Sequence, residues 1–198
     1  MAPPIIRAAR DDDVAGMLAI YAPAVRDSAI SFEETMPDPD EFRRRLRAIA
    51  GHYPWLVCAR DDRVLGYAYA ARFHPRVAYQ WTVETTVYVA AEAHRQGIGR
   101  ALYTSVLECV RLQGHQTVVG IIALPNAGSV GLHEALGFTA MGVLPNAGHK
   151  HGAWHDVGYW SLPLARDPHP APPVPPAALT GDPRWGKAIT SGERHLGG

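Results

Sequence analysis

Along residues 1–165 the apolar positions switch between two spacings, one typical of strands and one typical of helices. Runs of β-branched and aromatic residues predict seven strands, at 5–8, 55–59, 64–73, 81–89, 117–124, 138–144 and 153–162. Apolar residues three and four positions apart predict helices that begin near Val14, Pro39, Ile98 and Asn126. The order β-α-α-β-β-β-α-β-α-β-β predicts a mixed α/β sandwich.

The sequence changes character after residue 165. Prolines prevent regular structure there, at Pro168, Pro170, Pro172, Pro173, Pro175 and Pro176. Beyond them few large apolar residues remain, so we expect a folded domain over 1–165 and a largely disordered tail over 166–198. Removal of this tail should change stability and turnover little. The alternative is a short helix near Trp185 that packs on the domain.

Between the strand at 81–89 and the helix at Ile98 lies a turn with two glycines, Arg95-Gln96-Gly97-Ile98-Gly99-Arg100. Glycine lets backbone approach a ligand closely, and the free N–H groups of a helix N-terminus attract an anion. The turn therefore predicts a pyrophosphate site, with an ordinary glycine-rich turn as the alternative. It lacks the third small residue of a dinucleotide fingerprint, since Leu102 stands there, and the Gly-Lys-Ser/Thr of a P-loop.

Charge and composition exclude several classes of protein. Nineteen basic and nineteen acidic residues balance, so no overall field attracts nucleic acid or an anionic membrane. The start of the chain does not resemble a signal peptide, and the longest apolar runs are too short to span a bilayer. Cys58 and Cys109 fall inside apolar patterns and predict buried thiols. We therefore expect a cytoplasmic protein with no nucleic-acid or membrane partner.

Glu84 is a carboxylate within a run of β-branched and aromatic residues. An acid in such a strand is unfavourable unless it is ion-paired, lies at an edge or is used in chemistry. A partly desolvated carboxylate has a raised pKa and suits the role of a general base. A base and an ion-paired strand residue are the two interpretations.

Two patterns that contain histidine invite a metal-site interpretation. His133-Glu134 begins like a zinc-protease motif, but Gly137 stands where the second histidine belongs. His149, His151 and His155 share one strand parity, yet no cysteine accompanies them. We predict no metal site.

Four segments, in register along the chain, resemble one enzyme superfamily. His94-Arg95-Gln96-Gly97-Ile98-Gly99 follows the (Gln/Arg)-x-x-Gly-x-Gly acyl-CoA signature of GNAT N-acetyltransferases, with histidine at the first position. Residues 124–138 fit the second GNAT signature, Asn-x-x-Ser-x-x-Leu-(Tyr/His)-Glu-x-Leu-Gly-Phe. Residues 81–89 and 150–160 look like the central strand and closing hairpin of phosphinothricin acetyltransferases. Over 5–163 the chain resembles the phosphinothricin and methionine sulfoximine/sulfone N-acetyltransferases.

The resemblance implies the GNAT fold, a mixed and mostly antiparallel sheet flanked by helices. It implies an acetyl-CoA-dependent acyltransferase that acetylates the α-amino group of a small amino acid by direct attack in a ternary complex. Glu84 is then the general base. His133 is an acid or a substrate ligand, and a core histidine is the alternative.

The resemblance also assigns binding residues. Those expected to bind acetyl-CoA are Val87, Tyr88, Val89, Arg95, Gln96, Gly97, Ile98, Gly99, Arg100 and Asn126. Those expected to bind the amine are Phe32, Arg76, Tyr79, Thr86, Tyr88, His133 and Val157. Phe32 is expected to close the pocket across the interface of a homodimer.

Two departures from the family weaken the case for a strongly anionic amine. His74 stands where some members carry a second cation, and Glu33-Glu34 follows Phe32 where they carry a more basic or neutral pair. Acetylation of a polyamine or of a protein amine is therefore an alternative. A CoA-binding module without turnover is another, although an intact Glu84 argues against it.

Overall fold

A seven-stranded sheet organises the chain, which a computed structural model describes from residue 2 to residue 197. The strands are β1 (Ile5–Ala8), β2 (Trp55–Arg60), β3 (Arg63–Arg72), β4 (Thr82–Val89), β5 (Thr117–Leu124), β6 (Thr139–Lys150) and β7 (Ala153–Pro163). Their order across the sheet is β1-β2-β3-β4-β5-β7-β6, and only β4 and β5 are parallel neighbours. The predicted mixed, mostly antiparallel sheet is confirmed.

Helices cover both faces of this sheet. They are α1 (Val14–Arg26), α2 (Pro39–Ala50), α3 (Ile98–Gln113), α4 (Ala127–Ala135), α5 (Pro176–Leu179) and α6 (Pro183–Thr190), and a 3₁₀ helix follows over Ser191–His195. α1 and α2 pack with Trp55 and Val57 on the face that we call the front. α3 packs with Leu56 and Cys58 on the opposite face, the back. Within residues 2–197 no helix has the length and apolar character needed to cross a membrane.

Local sequence signals fix the ends of α2 and α3. A carboxylate oxygen of Asp38 accepts a hydrogen bond from the Glu41 N–H at 2.8 Å, and Pro39 occupies the first turn of α2. α3 lies between two left-handed positions, Gly97 with φ 77° and Gly114 with φ 95°, which favour glycine. The predicted start of α3 at Ile98 is confirmed.

The parallel pair of strands separates part-way along its length. β4 pairs with β5 only over residues 82–84, opposite residues 117–119. Both strands continue beyond that point, and β5 there pairs with β7 on its other side. The separation leaves an opening between two central strands, and Glu84 lies at its closed end.

Within residues 166–197 the tail forms α5, α6 and a 3₁₀ helix, whereas the sequence predicted a largely disordered segment. Trp185, Ala188 and Ile189 share one side of α6 and pack on the back-face core, together with Leu196. Composition concealed this helix because its apolar residues are few, although they fall three and four positions apart. The helix near Trp185, which was the alternative, is present. The folding of 1–165 as an independent domain stays a prediction.

β6 extends further than the strand predicted from sequence. The prediction ended at Leu144, whereas β6 reaches Lys150 with a shift in its pairing to β7 between Leu144 and Gly148. Pro145 and Asn146 concealed the continuation, because both residue types are typical of turns. Here they occupy an irregularity at the edge of the sheet, where proline is tolerated.

Candidate active site

The first turn of α3 presents backbone N–H groups at the open end of the separation between β4 and β5. The first hydrogen bond of the helix joins the Ala101 N–H to the Gly97 carbonyl oxygen at 2.8 Å. The N–H groups of Ile98, Gly99 and Arg100 donate to no acceptor within residues 2–197. These three donors, at the positive end of the helix dipole, form a site for an anion.

Side chains surround this turn and tie it to β4. Arg95 and Arg100 are exposed and form no ion pair among the described residues. His94 Nε2 donates to the Val89 carbonyl oxygen at 3.0 Å, so the histidine that departs from the acyl-CoA signature anchors the turn to the end of β4. A fixed turn with two unpaired cations suits a pyrophosphate group.

Gly99 faces the opening between β4 and β5. A Cβ added there would lie 3.4 Å from Leu132 of α4 and 3.7 Å from Val89 of β4. α4 begins at the same end of the sheet, where a side-chain oxygen of Asn126 accepts from the Ser129 N–H at 3.1 Å. The starts of α3 and α4 and the unpaired half of β4 therefore border one opening, which brings together the residues predicted to bind acetyl-CoA.

Glu84 lies on the front face at the closed end of the opening. Val83 and Val87 pack into the back-face core, whereas Tyr88 packs into the front cluster. Because side chains alternate along a strand, Glu84 and Thr86 share the front face with Tyr88. The predicted base and two predicted amine-binding residues are thus neighbours on one strand.

The Glu84 carboxylate has the environment of a base. Its side chain is half-buried, and burial raises its pKa. Within residues 2–197 no lysine, arginine or histidine forms an ion pair with it. The ion-paired interpretation therefore lacks a partner, which favours the interpretation as a general base.

Residues of β5 and β7 extend the front face beyond Glu84. Val119, Ile121 and Ala123 of β5 face the front, because the residues between them pack on the back. Val157 of β7 pairs with Ala123 and is buried, while Ile121 is 37% exposed. The result is an apolar floor beside Glu84 that includes the predicted amine-binding residue Val157.

His133 is enclosed on the back face, with 3% of its surface exposed. Its Nδ1 lies 2.8 Å from the Ser129 carbonyl oxygen, and a carbonyl oxygen only accepts, so Nδ1 carries the proton. Burial lowers the pKa of His133, although the bond to Ser129 opposes that shift. A lowered pKa favours the neutral ring, and with the proton on Nδ1 the Nε2 atom is an acceptor.

The hydroxyl of Tyr103 connects His133 to the opening. It lies 3.0 Å from His133 Nε2 and 3.2 Å from the carbonyl oxygen of Thr85, the residue after Glu84. His133 thus reaches the closed end of the opening through Tyr103, and its direct contact with the amine stays a prediction. Sequence reasoning missed Tyr103, because a tyrosine in a buried helix is an ordinary core residue.

Arg76 and Tyr79 lie in the connection that leads into β4. Both are exposed, and the Tyr79 ring packs on His74 with 4.5 Å between ring centroids. The Arg76 guanidinium forms no ion pair within residues 2–197. Since Glu84 is the third residue of β4, this connection borders the front floor at the end nearest the base.

Phe32 reaches the front face from the connection after α1. Its ring packs on Gly148, where an added Cβ would overlap it, and lies 6.2 Å from the His155 ring. His155 and Val157 share one side of β7, so Phe32 lies at the far edge of the floor. Within one chain Phe32 contacts the β6–β7 hairpin, and its closure of a pocket across a dimer stays a prediction.

A comparison with protein families accounts for this combination of fold and site. The model of the acetyltransferase (GNAT) domain matches residues 6–158. The chain belongs to the GNAT acetyltransferases.

Individual relatives place this GNAT chain within the superfamily. It is 43% identical over 175 residues to a phosphinothricin N-acetyltransferase of Streptomyces viridochromogenes, covering 88% of this chain and 94% of the relative. It is 37% identical to an L-methionine sulfoximine/L-methionine sulfone acetyltransferase of Pseudomonas paraeruginosa, covering 80% and 94%. The solved phosphinothricin acetyltransferase of Sinorhizobium meliloti in complex with AcCoA matches with a TM-score of 0.81 and 32% identity, covering 86% and 94%. The predicted family is confirmed.

One further residue of this GNAT site has no sequence signal. Lys150 is 5% exposed, and its Nζ donates to the carbonyl oxygens of Val25 and Ser31, each at 2.6 Å. Val25 lies in the last turn of α1, where the helix dipole favours a cation, and Ser31 precedes Phe32. Lys150 therefore holds the connection that carries Phe32, through contacts between residues 119 and 125 positions apart.

His149 and His155 of the β6–β7 hairpin make structural contacts within that hairpin. His155 Nε2 donates to the Lys150 carbonyl oxygen at 3.1 Å, and His149 packs on Trp154 with 5.1 Å between ring centroids. Among residues 2–197 no group of three or more histidine, cysteine, aspartate or glutamate side chains is placed to hold a metal ion.

Proposed function

We propose that this GNAT enzyme transfers the acetyl group of acetyl-CoA to the α-amino group of a small amino acid or analogue of the phosphinothricin, methionine sulfoximine or methionine sulfone type. One observation carries the proposal: the half-buried Glu84 carboxylate lies where an opening bordered by free backbone donors meets an apolar floor. The activities in the names of its relatives support this choice of amine.

When bound, acetyl-CoA supplies the acetyl group as an activated thioester. The residues that would hold it border the opening: Val87, Tyr88, Val89, Arg95, Gln96, Gly97, Ile98, Gly99, Arg100 and Asn126. The free N–H groups at the start of α3, with the two arginines of the turn, suit its pyrophosphate. The unpaired edge of β4 suits the amide groups of its pantetheine arm.

Glu84 and Tyr103 divide the proton transfers. The ammonium of the amino acid must lose a proton before its nitrogen can attack, and Glu84 accepts that proton on the front face. Its raised pKa makes Glu84 a stronger base than an exposed carboxylate. When the carbon–sulfur bond of the thioester breaks, the leaving thiolate would take up a proton from the Tyr103 hydroxyl, which His133 Nε2 orients behind Glu84 and which would then regain a proton from water. Backbone donors of residues 87–89 polarise the thioester carbonyl.

The amine is held on the front face. Arg76 binds its carboxylate or phosphinate with two parallel hydrogen bonds. The other amine-binding residues of the proposal on this face are Phe32, Tyr79, Thr86, Tyr88 and Val157, whereas His133 acts from the back face through Tyr103. Val157 belongs to the floor, Thr86 and Tyr88 of β4 lie beside it, and Phe32 closes its far edge.

The enzyme acts as a homodimer in this proposal. β6 is an edge strand, and Met141, Val143, Leu144 and Trp154 of the β6–β7 hairpin are more than half exposed. Apolar residues on an unpaired edge favour association with a second copy. Val143→Lys should give a monomer by light scattering and a higher KM for the amine. A dimer that survives this change would place the interface elsewhere.

We assign the enzyme to the cytoplasm. Cys58 and Cys109 are buried free thiols, and burial raises their pKa values to about 11 and about 12. Thiols that stay unpaired are typical of a reducing compartment.

A panel of amines tests the proposed reaction. Purified enzyme with acetyl-CoA should release thiol in the presence of phosphinothricin, methionine sulfoximine or methionine sulfone, and mass spectrometry should show one added acetyl group. Spermidine and a peptide with a free N-terminus represent the alternative substrates. Higher kcat/KM for either of these would overturn the choice of amine. Tight binding of acetyl-CoA without turnover of any amine would indicate a non-catalytic module.

One of the two acids behind the polyamine alternative, Glu33, is already paired, whereas Glu34 is exposed and forms no ion pair within residues 2–197. That alternative needs carboxylates that are free to bind a second ammonium group. Glu33 instead accepts a hydrogen bond from the Arg45 guanidinium at 2.5 Å, so its charge is already paired.

A further inference from the structure

The end of the described chain packs backbone against backbone on the start of α3. A Cβ added at Gly97 would overlap the carbonyl oxygen of His195, and one added at Gly192 would overlap that of Ala101. The Gly192 N–H also donates to the hydroxyl of the fully buried Ser105 at 3.0 Å. One glycine on each element therefore permits this close approach.

The same segment is attached to the sheet behind α3. A carboxylate oxygen of Glu193 accepts a hydrogen bond from the Ile6 N–H of β1 at 2.7 Å. Leu196 packs against the back-face core. Residues 191–196, which we call the buttress, therefore connect β1 with the first two turns of α3.

The buttress contacts the side of the glycine turn that faces away from the opening. Gly99 faces Leu132 and Val89, which border the opening, whereas Gly97 faces His195 of the buttress. The turn is thus held between the two. The free N–H groups belong to the glycine turn, so the direction in which they point depends on where the buttress holds that turn.

Positive charge accumulates where the buttress meets the turn. The pKa of His195 is lowered, first by desolvation and then by the positive charges of Arg100 and Arg194. Both arginines therefore lie close enough to act on His195. Arg194 donates to the Ser191 carbonyl oxygen at 2.9 Å, and neither arginine forms an ion pair within residues 2–197. An anion bound at the turn relieves the repulsion between them and so favours docking of the buttress.

We propose that the buttress positions the glycine turn for acetyl-CoA, so that docking of the buttress and binding of acetyl-CoA strengthen each other. The inference rests on the proposed function of the turn. Thermodynamic linkage requires the two effects to be equal in size. The GNAT domain match ends at residue 158, so the buttress would add to the site an element from outside the matched domain.

Two glycines of the tail provide a matched pair of variants. An added Cβ at Gly192 overlaps α3, whereas one at Gly186 of α6 meets open space. Gly192→Ala should weaken acetyl-CoA binding by about fivefold or more, the lower end of typical couplings between sites. Its kcat and its KM for the amine should stay unchanged, and Gly186→Ala should change none of the three. A folded Gly192→Ala with an unchanged Kd for acetyl-CoA by calorimetry overturns the proposal, whatever its melting temperature.

Hydrogen exchange of the unaltered chain tests the same coupling, and decides it if Gly192→Ala does not fold. Saturating acetyl-CoA should slow amide exchange in residues 191–196 and leave α2 unchanged. Protection confined to the glycine turn overturns the proposal. Failure of the proposed function is distinguishable, because the unaltered chain would then not bind acetyl-CoA in the same calorimeter.

Discussion

The proposed cofactor side and the proposed amine side of the opening are built from different groups. On the cofactor side the donors are backbone N–H groups of one turn, fixed between β4, α3 and the C-terminal segment. On the amine side the groups are side chains from separate segments, among them Phe32, Arg76, Glu84 and Val157. Backbone donors survive most substitutions, whereas a side-chain pocket changes with each one. We therefore expect the cofactor to be shared by relatives and the amine to differ, as the names of the relatives do.

The largest expected effect separates the two sides at Glu84. Glu84→Gln keeps the shape of the side chain but cannot accept a proton, so kcat should fall by about 10² to 10⁴. The Kd of acetyl-CoA should not change, because the carboxylate is not among the cofactor donors. The acidic limb of the rate profile should disappear, since it reports protonation of the base. Measurements are kcat and KM between pH 6 and pH 9.5. A loss confined to the KM of the amine and independent of pH would make Glu84 an anchor for the ammonium.

The stability of the same variant checks the environment of Glu84. A carboxyl group with a higher pKa in the folded state than in the unfolded state destabilises the fold as pH rises through that interval. Glu84→Gln should therefore melt at a higher temperature than the wild type at pH 8 and at the same temperature at pH 4. A lower melting temperature at pH 8 would reveal a stabilising partner for the carboxylate.

The next effect concerns Tyr103, which lies behind Glu84 on the back face of the sheet. Tyr103→Phe should lower kcat by about 10², the lower end for acid–base catalysis. It should also lower stability by about 1–3 kcal/mol, because the buried His133 Nε2 loses its donor. Tyr21→Phe is the control, since it removes a buried hydroxyl that is bonded to Ser31 at 2.6 Å. Equal kcat values for the two variants would reduce Tyr103 to a core residue.

A smaller effect distinguishes amines on the front face. Arg76→Ala should raise the KM for phosphinothricin by about tenfold, as expected for a lost hydrogen bond between charged groups. If Arg76 binds the phosphinate, the KM for methionine sulfone should rise less, whereas equal increases would assign Arg76 to the carboxylate. Unchanged KM values for every amine would remove Arg76 from the site.

The smallest effect tests whether the amine side depends on distant support. Lys150→Met should raise the KM for the amine by about fivefold, which corresponds to about 1 kcal/mol, because the connection that carries Phe32 loses its attachment. The Kd of acetyl-CoA should stay constant. Lys187→Met is the matched control, since Lys187 is exposed on α6. Equal KM values for the two variants would show that Lys150 supports the fold alone.

Local patterns predicted much of the fold and of the cofactor side. The order of strands and helices follows from residue spacing, and the turn at 95–100 follows from two glycines at a helix start. The contacts that escaped prediction join distant positions. Lys150 bonds carbonyl oxygens more than a hundred residues away, and Tyr103 gains meaning only when α4 brings His133 beside it.

The ordered tail shows a second limit of sequence reasoning. Its composition resembles a disordered segment, because prolines and charges dominate it. Its order depends on α3, which offers Ser105 and a close approach at Ala101 to Gly192. Docking of this kind needs small residues on both elements, and the spacing of residues within the tail alone does not predict it.

The end of the β4–β5 ladder at Glu84 also has a kinetic consequence. In the proposed function the amine would approach Glu84 over the front floor and acetyl-CoA would enter from the far ends of the two strands, so neither ligand would cover the route of the other. Addition in random order is therefore expected, with initial-rate lines that intersect when either ligand is varied. N-acetylated product should compete with the amine, and free CoA should compete with acetyl-CoA. The two substrates would then reach Glu84 by separate routes, one over the front face of the sheet and one from the ends of β4 and β5.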